Sequence, residues 1–295
     1  MIKLIIVWLI QLKYGKIDLM LYDLHCHSTA SDGSLTPTQL VEFAQSKAID
    51  YLSLTDHDTI EGLKEAQIAA QDKTIKLING IEFSVTWQAK TVHIVGLKIN
   101  PESKLLLERI NVLQKYRRFR AQEISMDLDN KAQIKNALQG AELFSQSKMI
   151  GRVHFAQFLV HQGYAKDIKQ AFKKFLVKNK PGYIKDSWAS LADIIECIHQ
   201  ANGIAVIAHP ARYGLKLKKL KQLVDEFKSL GGQAIEVVSG SQCTNEIPKI
   251  NRLAEEFNLY ASIGSDFHSQ DMPWNNLGQF PELPINCKPV SELLN

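Results

Sequence analysis

A parallel α/β barrel of about seven strands, carrying a helical insertion, is the fold class this sequence predicts. Three observations point there. Short runs rich in Ile, Leu and Val alternate with longer amphipathic segments. The alternation stops between Pro101 and Ser187, where only helical patterns occur. Histidines and carboxylates recur where the apolar runs end, and a barrel gathers its reactive groups at the C-terminal ends of its strands.

The elements follow in order. Strands are expected over 21–24, 51–54, 76–81, 92–97, 204–208, 234–238 and 260–263, short and aliphatic as strands buried on both faces should be. Thr36-Pro37 supplies an N-cap and first-turn proline for a helix to about Lys47. Thr59 opens the next, to about Gln71, and further helices are expected near 191–202, 216–230 and 245–257. Within the insertion, helices are expected near 103–129, 150–162 and 166–177, and Pro181-Gly182 turns the chain back towards the barrel. The expected division is therefore a barrel from 20–100 and 188–295, with a helical insert over 101–187 lying across the open end.

The 295 residues suffice to bury about three quarters of the unfolded surface, so neither a disulfide nor a metal is needed merely to fold. With 45% hydrophobic and 22% charged residues, the chain is not disordered, collagen-like or a multi-span membrane protein. Cys26, Cys197, Cys243 and Cys287 are scattered and form no CxxC, which excludes a disulfide scaffold and a Cys-rich zinc module and points to a reducing cytoplasm. Charge is uneven: residues 101–190 hold 17 Lys and Arg against 8 Asp and Glu, whereas the remainder is net acidic. That asymmetry fits an anionic partner for the insert, or a solvated helical surface. Residues 1–19 contain the apolar run 4–10, too short for a bilayer, which needs about 20 residues. A second Met stands at position 20, directly before a strand, so 1–19 reads as a non-native or upstream-translated extension, with a peripheral strand or helix as the alternative and a membrane anchor least favoured.

The candidate chemistry lies at the strand ends. His25 and His27 flank Cys26, and side chains at i and i+2 of a strand point the same way, so both imidazoles can reach one ion while Cys26 faces away. Asp32 follows in Ser31-Asp32-Gly33, and Asp56-His57-Asp58 ends the second strand. Glu82 ends the third, His93 lies in the fourth, His209 ends the fifth, and Asp266 and His268 end the last. Each signal alone is modest, but six of the nine histidines fall at these termini together with Asp32, Glu82 and Asp266. An imidazole–carboxylate set without thiolates suits catalytic Zn2+, Mn2+ or Fe2+ better than Ca2+ or a structural zinc.

These residues carry a resemblance. Asp23-Leu24-His25-Cys26-His27-Ser28, Leu54-Thr55-Asp56-His57-Asp58-Thr59, Gly80-Ile81-Glu82, Ala208-His209-Pro210 and Gly264-Ser265-Asp266-Phe267-His268 resemble, in order, the motifs of PHP-domain proteins, the polymerase and histidinol phosphatase superfamily. The insert, Gly151-Arg152-Val153-His154-Phe155-Ala156 and His209-Pro210-Ala211-Arg212-Tyr213 resemble the branch containing 3′,5′-nucleoside bisphosphate phosphatases and the 5′-to-3′ exoribonuclease called ribonuclease AM. The resemblance implies a distorted (β/α)7, TIM-like barrel with three divalent ions, Mn2+ foremost. It implies His25, His27, Glu82 and Asp266 on one ion, Asp32, His57 and His268 on the second, and Glu82, His93 and His209 on the third. Clustered cations bring a shared water towards a pKa of ~7, giving a hydroxide to attack phosphorus. Asp56 and Asp58 read as partners that orient His57 or its neighbours, with helix capping an equal alternative for Asp58.

Substrate choice falls to arginines. Arg117 and Arg120 are i, i+3 on an expected helix and share a face, Arg118 points elsewhere, Arg152 starts a second insert helix, and Arg212 follows His209-Pro210. Guanidinium groups hold phosphate bidentately, with surface salt bridges as the alternative use. The resemblance implies that insert arginines grip a second phosphate. Trp188 and Tyr183 read as core packing, with base stacking as the alternative; Lys216–Lys221 reads as a solvated face, with RNA contact as the alternative. His161 and His199 read as ordinary helix residues. The expected activity is metal-dependent hydrolysis of the 3′-phosphate of nucleoside 3′,5′-bisphosphates, or removal of 5′-nucleotides from short single-stranded 5′-phosphorylated RNA. The competing readings are a phosphatase for a small monoester such as histidinol phosphate, and a catalytically silent metal-binding or nucleic-acid-binding module.

Overall fold

The computed structural model describes residues 20–147, 149–240, 242–271 and 276–294; the 1–19 extension lies outside them. Seven strands form one sheet in sequence order: β1 (Tyr22–Cys26), β2 (Tyr51–Leu54), β3 (Lys76–Trp87), β4 (Lys90–Leu97), β5 (Ile204–Ile207), β6 (Ala234–Ser239) and β7 (Tyr260–Gly264). The end of β1 meets the segment just beyond β7, where Cys26 bridges Phe267 and the backbone N–H of Asp266 donates to His25 O at 2.8 Å, so the sheet nearly closes.

Helices α1 (Pro37–Ser46), α2 (Leu63–Ala70), α7 (Leu191–Gln200), α8 (Leu217–Ser229) and α9 (Ile247–Glu256) cover the barrel. Thr36 caps α1 through a reciprocal box with Gln39, as the Thr-Pro signal implied, and Ser190 and Asp193 do the same for α7. The helix expected from Thr59 begins later, at Leu63. Between α7 and β4 in the chain lie α3 (Lys104–Ala132), α4 (Ala137–Glu142), α5 (Arg152–His161) and α6 (Ile168–Ala171), the last continuing into a wider turn to Leu176. No strand occurs among the described residues of 101–187. Helix α3 serves two cores. Leu106, Ile110 and Leu113 pack in the main layer between sheet and helices, while Ala121, Ile124 and Leu128 join a separate cluster with Phe155, Leu159 and Leu176. Among the described residues no helix is long and apolar enough to cross a membrane.

The barrel is not wholly parallel. β4 runs antiparallel to both β3 and β5. The reason is the connection: β3 reaches Trp87, and β4 begins at Lys90 after two residues, Gln88 and Ala89, at φ 44° and 63°. Two left-handed residues make a tight hairpin, whereas a parallel return needs a crossover of about a dozen residues.

The barrel floor is a third apolar cluster drawn from strands and the C-terminal turn: Leu24, Val95, Leu97, Ile204, Val206, Ala234 and Val290. The β1–β2 register shifts between Asp23 and Cys26, and the bulge re-aims the chain. Leu24 fills the floor, Cys26 joins the outer layer with its thiol on Ser53 O at 3.2 Å, and His25 and His27 are left for the mouth.

Candidate metal centre

The mouth brings together His25, His27, Asp32, His57, Glu82, His93, His209, Asp266 and His268. Asp32 is presented by the turn 28–33, in which Ser31 and Gly33 N–H groups both donate to Ser28 O, at 3.1 and 2.9 Å. A Cβ at Gly33 would fall 2.4 Å from His27 O, so only glycine lets this turn fold against the His27 backbone. Asp58, His209 and Asp266 hold positive φ values of 50°, 26° and 53°. Side chains rarely accept such backbone, and it recurs at functional sites.

Glu82, fully buried, is the hub. Its Oε1 lies 2.8 Å from His93 Nδ1, 2.9 Å from His209 Nε2 and 3.4 Å from His25 Nε2. Its Oε2 lies 2.8 Å from His57 Nδ1 and 3.4 Å from His27 Nε2. His27 Nε2 also sits 3.2 Å from His25 Nε2 and 3.2 Å from Asp266 Oδ1. On the far side, Asp32 Oδ1 is 3.4 Å from His268 Nε2 and 3.9 Å from His57 Nε2. Overlapping groups of possible ligand atoms, each within 4.8 Å, result: His27 with Asp32, His57 and His268; His25 with Glu82 and His209; His25 with His27 and Asp266; and His57 with Glu82 and His93.

Burial alone would raise the Glu82 carboxyl, but His57, His93 and His25 hold it well below the usual carboxylate range. Burial would likewise raise Asp32, and His268 and His57 pull it well below. Burial drives the His27 imidazole well below its ordinary value, helped by His268 and His57, and takes His93 down to about 4. Burial would lower His25 as well, but Glu236 and Glu82 raise it to about 10. A ligand imidazole is neutral, so a cation bound here would displace the His25 proton.

Divalent cations fit this set. His57 Nδ1 and Glu82 Oε2 are 2.8 Å apart, yet both are buried with no hydrogen bond. His25 and His27 bring two ring nitrogens to 3.2 Å. Ring nitrogens and carboxylate oxygens that converge this closely suit a common cation better than one another.

Supporting groups that the sequence reading missed surround the cluster. Glu236 accepts from His25 Nδ1 at 2.9 Å and from the His209 backbone N–H at 2.5 Å. Its signal was a Glu inside the apolar strand Ala234–Ser239. Asp23 accepts the N–H groups of Ser265 at 2.8 Å and Gly278 at 2.9 Å, tying β1 to the segment that carries Asp266. Tyr213 OH donates to Ala208 O at 2.6 Å and accepts from His93 N–H at 2.9 Å. Asp56 and Asp58 were expected to orient His57 or its neighbours, and neither bonds His57. Asp56 accepts from Ser28 N–H, Ser28 Oγ and Ser31 Oγ at 2.8, 2.7 and 2.6 Å, bracing the Asp32 turn. Asp58 accepts from Ser84 N–H at 2.8 Å and from Arg117 Nε at 2.7 Å, and it caps no helix.

The arginines approach from two sides. Arg117 also donates to Ser84 Oγ at 2.9 Å, two residues from Glu82. Arg120, only 5% exposed, pairs with Asp186 at 2.7 Å, and both guanidiniums lie on the Trp188 ring, at 4.9 and 5.6 Å. Trp188 is therefore a platform for cations, braced edge-on by Tyr116. Burial, and then the nearby charge of Arg152, bring Arg120 down to about 10, against the opposing pull of Asp186. Arg118 is exposed, as expected. Arg212 pairs with Asp266 from the short turn Pro210–Tyr213. His154, buried, accepts from Gly151 N–H through Nδ1 at 3.1 Å, and its electrostatic neighbours include Asp32 and Arg117, so the insert comes down to the cluster.

A near-closed seven-stranded barrel with a buried histidine–carboxylate cluster at its mouth defines a metal-dependent hydrolase, and sequence comparison narrows it. Residues 23–240 match the PHP domain family model. The chain is 42% identical to the 3′,5′-nucleoside bisphosphate phosphatase of Chromobacterium violaceum, over 91% of this chain and 94% of that protein. It is 42% identical to a 5′-3′ exoribonuclease of Haemophilus influenzae, over 92% and 98%. A solved structure described as an amidohydrolase from Chromobacterium violaceum, with sulfate and no metal, superposes with a TM-score of 0.88 at 41% identity, covering 92% of this chain and 95% of that one. The chain belongs to the PHP-domain metal-dependent phosphoesterases.

Proposed function

We propose that this phosphoesterase hydrolyses the 3′-phosphate of nucleoside 3′,5′-bisphosphates and, by the same cut, removes 5′-nucleotides one at a time from short single-stranded 5′-phosphorylated RNA. The carrying observation is the excess of positive charge beside the cluster, three arginines against two aspartates. Arg120 keeps Nε buried without a hydrogen bond while its Nη2 pairs with Asp186, Arg117 pairs with Asp58, and Arg152 stands beside them with no acidic partner among the described residues. An anion seated there relieves that excess. Relatives named for both activities support the reading.

In this reading the insert, 101–187, is the substrate lid on a barrel of 20–100 and 188–295. Arg117, Arg120 and Arg152 hold a terminal 5′-phosphate, and Arg212 holds the phosphate that reacts. His25, His27, Glu82 and Asp266 hold one ion, Asp32, His57 and His268 a second, and Glu82, His93 and His209 a third. That Glu82 turns separate oxygens to His57 and His93 supports a bridging role. The ligand types admit Zn2+, Mn2+ or Fe2+, of which Mn2+ is the favoured ion on the family resemblance. Bound cations would acidify a shared water and neutralise phosphate oxygens. The chain's own part is to fix the phosphorus between the insert arginines and Arg212, and to keep His27, His93 and His209 neutral by burial. The free thiols Cys26, Cys197, Cys243 and Cys287 support a cytoplasmic setting.

The test is hydrolysis by metal-depleted, Mn2+-reconstituted protein. Adenosine 3′,5′-bisphosphate, a 5′-phosphorylated RNA oligomer, its 5′-hydroxyl twin and histidinol phosphate are compared. Phosphate release from the bisphosphate, with single-nucleotide trimming of the 5′-phosphorylated RNA alone, is expected. Activity confined to histidinol phosphate overturns the two-phosphate reading while leaving the metal centre standing.

A further inference from the structure

We infer that a basic rim formed by Lys90, Lys216, Lys218 and Lys219, outward of Arg212, carries the 3′ portion of a single-stranded RNA substrate away from the metal centre. This rests on the RNA reading above. The insert arginines reach the cluster from the β2–β3 side, where Arg117 binds Asp58 and Ser84. Across the mouth, β5 gives way to His209, the turn Pro210–Tyr213 and then α8. A strand whose 5′-phosphate sits among the insert arginines, and whose next phosphorus lies on the cluster, leaves past Arg212.

The surface it meets there is built from two elements. The β3–β4 hairpin tip and the start of α8 touch: Lys219 lies 5.7 Å from the Trp87 ring and pairs with Gln88, and Lys90 Nζ donates to Tyr213 O at 3.4 Å. The side chains of Lys216 and Lys218 are exposed and enter no ion pair or hydrogen bond among the described residues. Helix stability does not explain this placement. The first turn of α8 holds no acidic residue, and its lysines stand at the positive end of the helix dipole, where cations are disfavoured. The one aromatic ring at the tip, Trp87, is buried beneath Lys219. Lysines without an exposed stacking platform bind the phosphate backbone and read no sequence. A bisphosphate is too short to reach them.

The experiment is Lys90→Gln, Lys216→Gln and Lys218→Gln combined in the full chain, reconstituted with Mn2+. On a 5′-phosphorylated RNA of about ten nucleotides, kcat/KM should fall about tenfold, with a log–log salt dependence shallower by about two, since each single-strand phosphate contact contributes ~0.7. On adenosine 3′,5′-bisphosphate, kcat/KM should equal wild type. Unchanged RNA turnover and salt slope overturn the rim alone. Equal losses on both substrates also overturn it, because the substitutions then act on the site. A wild-type protein that hydrolyses the bisphosphate but no RNA overturns the RNA reading and the rim with it.

Discussion

Glu236 anchors His25: its Oε1 accepts from Nδ1 at 2.9 Å, inside the barrel and out of reach of solvent. The bond fixes the ring so that Nε2 faces Glu82 and Asp266. The other Glu236 oxygen holds the His209 backbone, so one carboxylate sets two of the histidines. Glu236→Gln should keep the fold and weaken metal affinity by about 10- to 100-fold, the usual effect of losing such a partner. Metal content after dialysis against a graded chelator measures it; an unchanged titration would remove Glu236 from the design.

Glu82→Gln should be more severe. Five imidazoles approach this carboxylate, and in the proposed three-ion arrangement neutralising it would disturb more than one ion position at once. Turnover should drop by more than the about 100-fold typical of a supporting partner. Rate and bound metal are read together, and a mild loss would speak against bridging.

Gly264→Ala tests how tightly the barrel closes. A Cβ there would meet His25 Cβ at 2.4 Å and His25 N at 2.8 Å, so β1 and β7 must part. Destabilisation of about 1–3 kcal/mol is expected from overpacking, together with lower metal content. Chemical denaturation with metal analysis checks both; wild-type values of each would show that the seam yields.

Trp188→Leu removes the ring beneath Arg117 and Arg120. Losing two cation–π contacts should cost about 1–2 kcal/mol, or roughly 5- to 30-fold, in kcat/KM for 5′-phosphorylated substrates. A phosphomonoester lacking a second phosphate should be less affected. Equal loss on both would make Trp188 a packing residue.

Asp56 gives a pH dependence. Burial raises its carboxyl to about 6 from 3.8, against hydrogen bonds from Ser31 and Ser28 that lower it. Between those values the folded chain still holds a proton that the unfolded chain has released. Stability therefore falls as pH rises through this window and levels above about 6, by roughly 3 kcal/mol for a shift of about two units. Asp23, raised by its own burial to about 6, adds a slope of the same sign. Asp56→Asn should remove about half of the decline in the metal-depleted protein. Denaturant midpoints across the window provide the measurement, and an undiminished slope would assign the effect elsewhere.

Strand order, the helical nature of 101–187 and the gathering of histidines at the mouth could all be read from residue patterns, because apolar runs and polar termini are local properties. The direction of β4 could not be read from its own residues, since an apolar strand looks the same in either orientation. Only the gap between 81 and 92 carried the information, being too short for a helical crossover. Glu236 escaped for a different reason. A lone acid in a strand is ordinarily exposed, and its inward aim depends on a neighbour across the barrel, His25, that sequence order does not reveal. Asp56 and Asp58 sit beside His57 in the chain, but their partners are Ser28, Ser31, Ser84 and Arg117, contacts that exist only after folding.

Helix α3 spans both apolar cores, and at 1.5 Å per residue its 29 residues make a rod of about 43 Å. Its first turns are a stave of the barrel wall, and its later turns carry the arginines and the second core. The roof over the mouth is therefore not a flap on a flexible tether but the far end of a beam footed beside the barrel. Anyone exchanging roofs between such barrels to change substrate would have to splice within the beam, beyond Leu113, because a cut at Pro101 removes part of the wall as well.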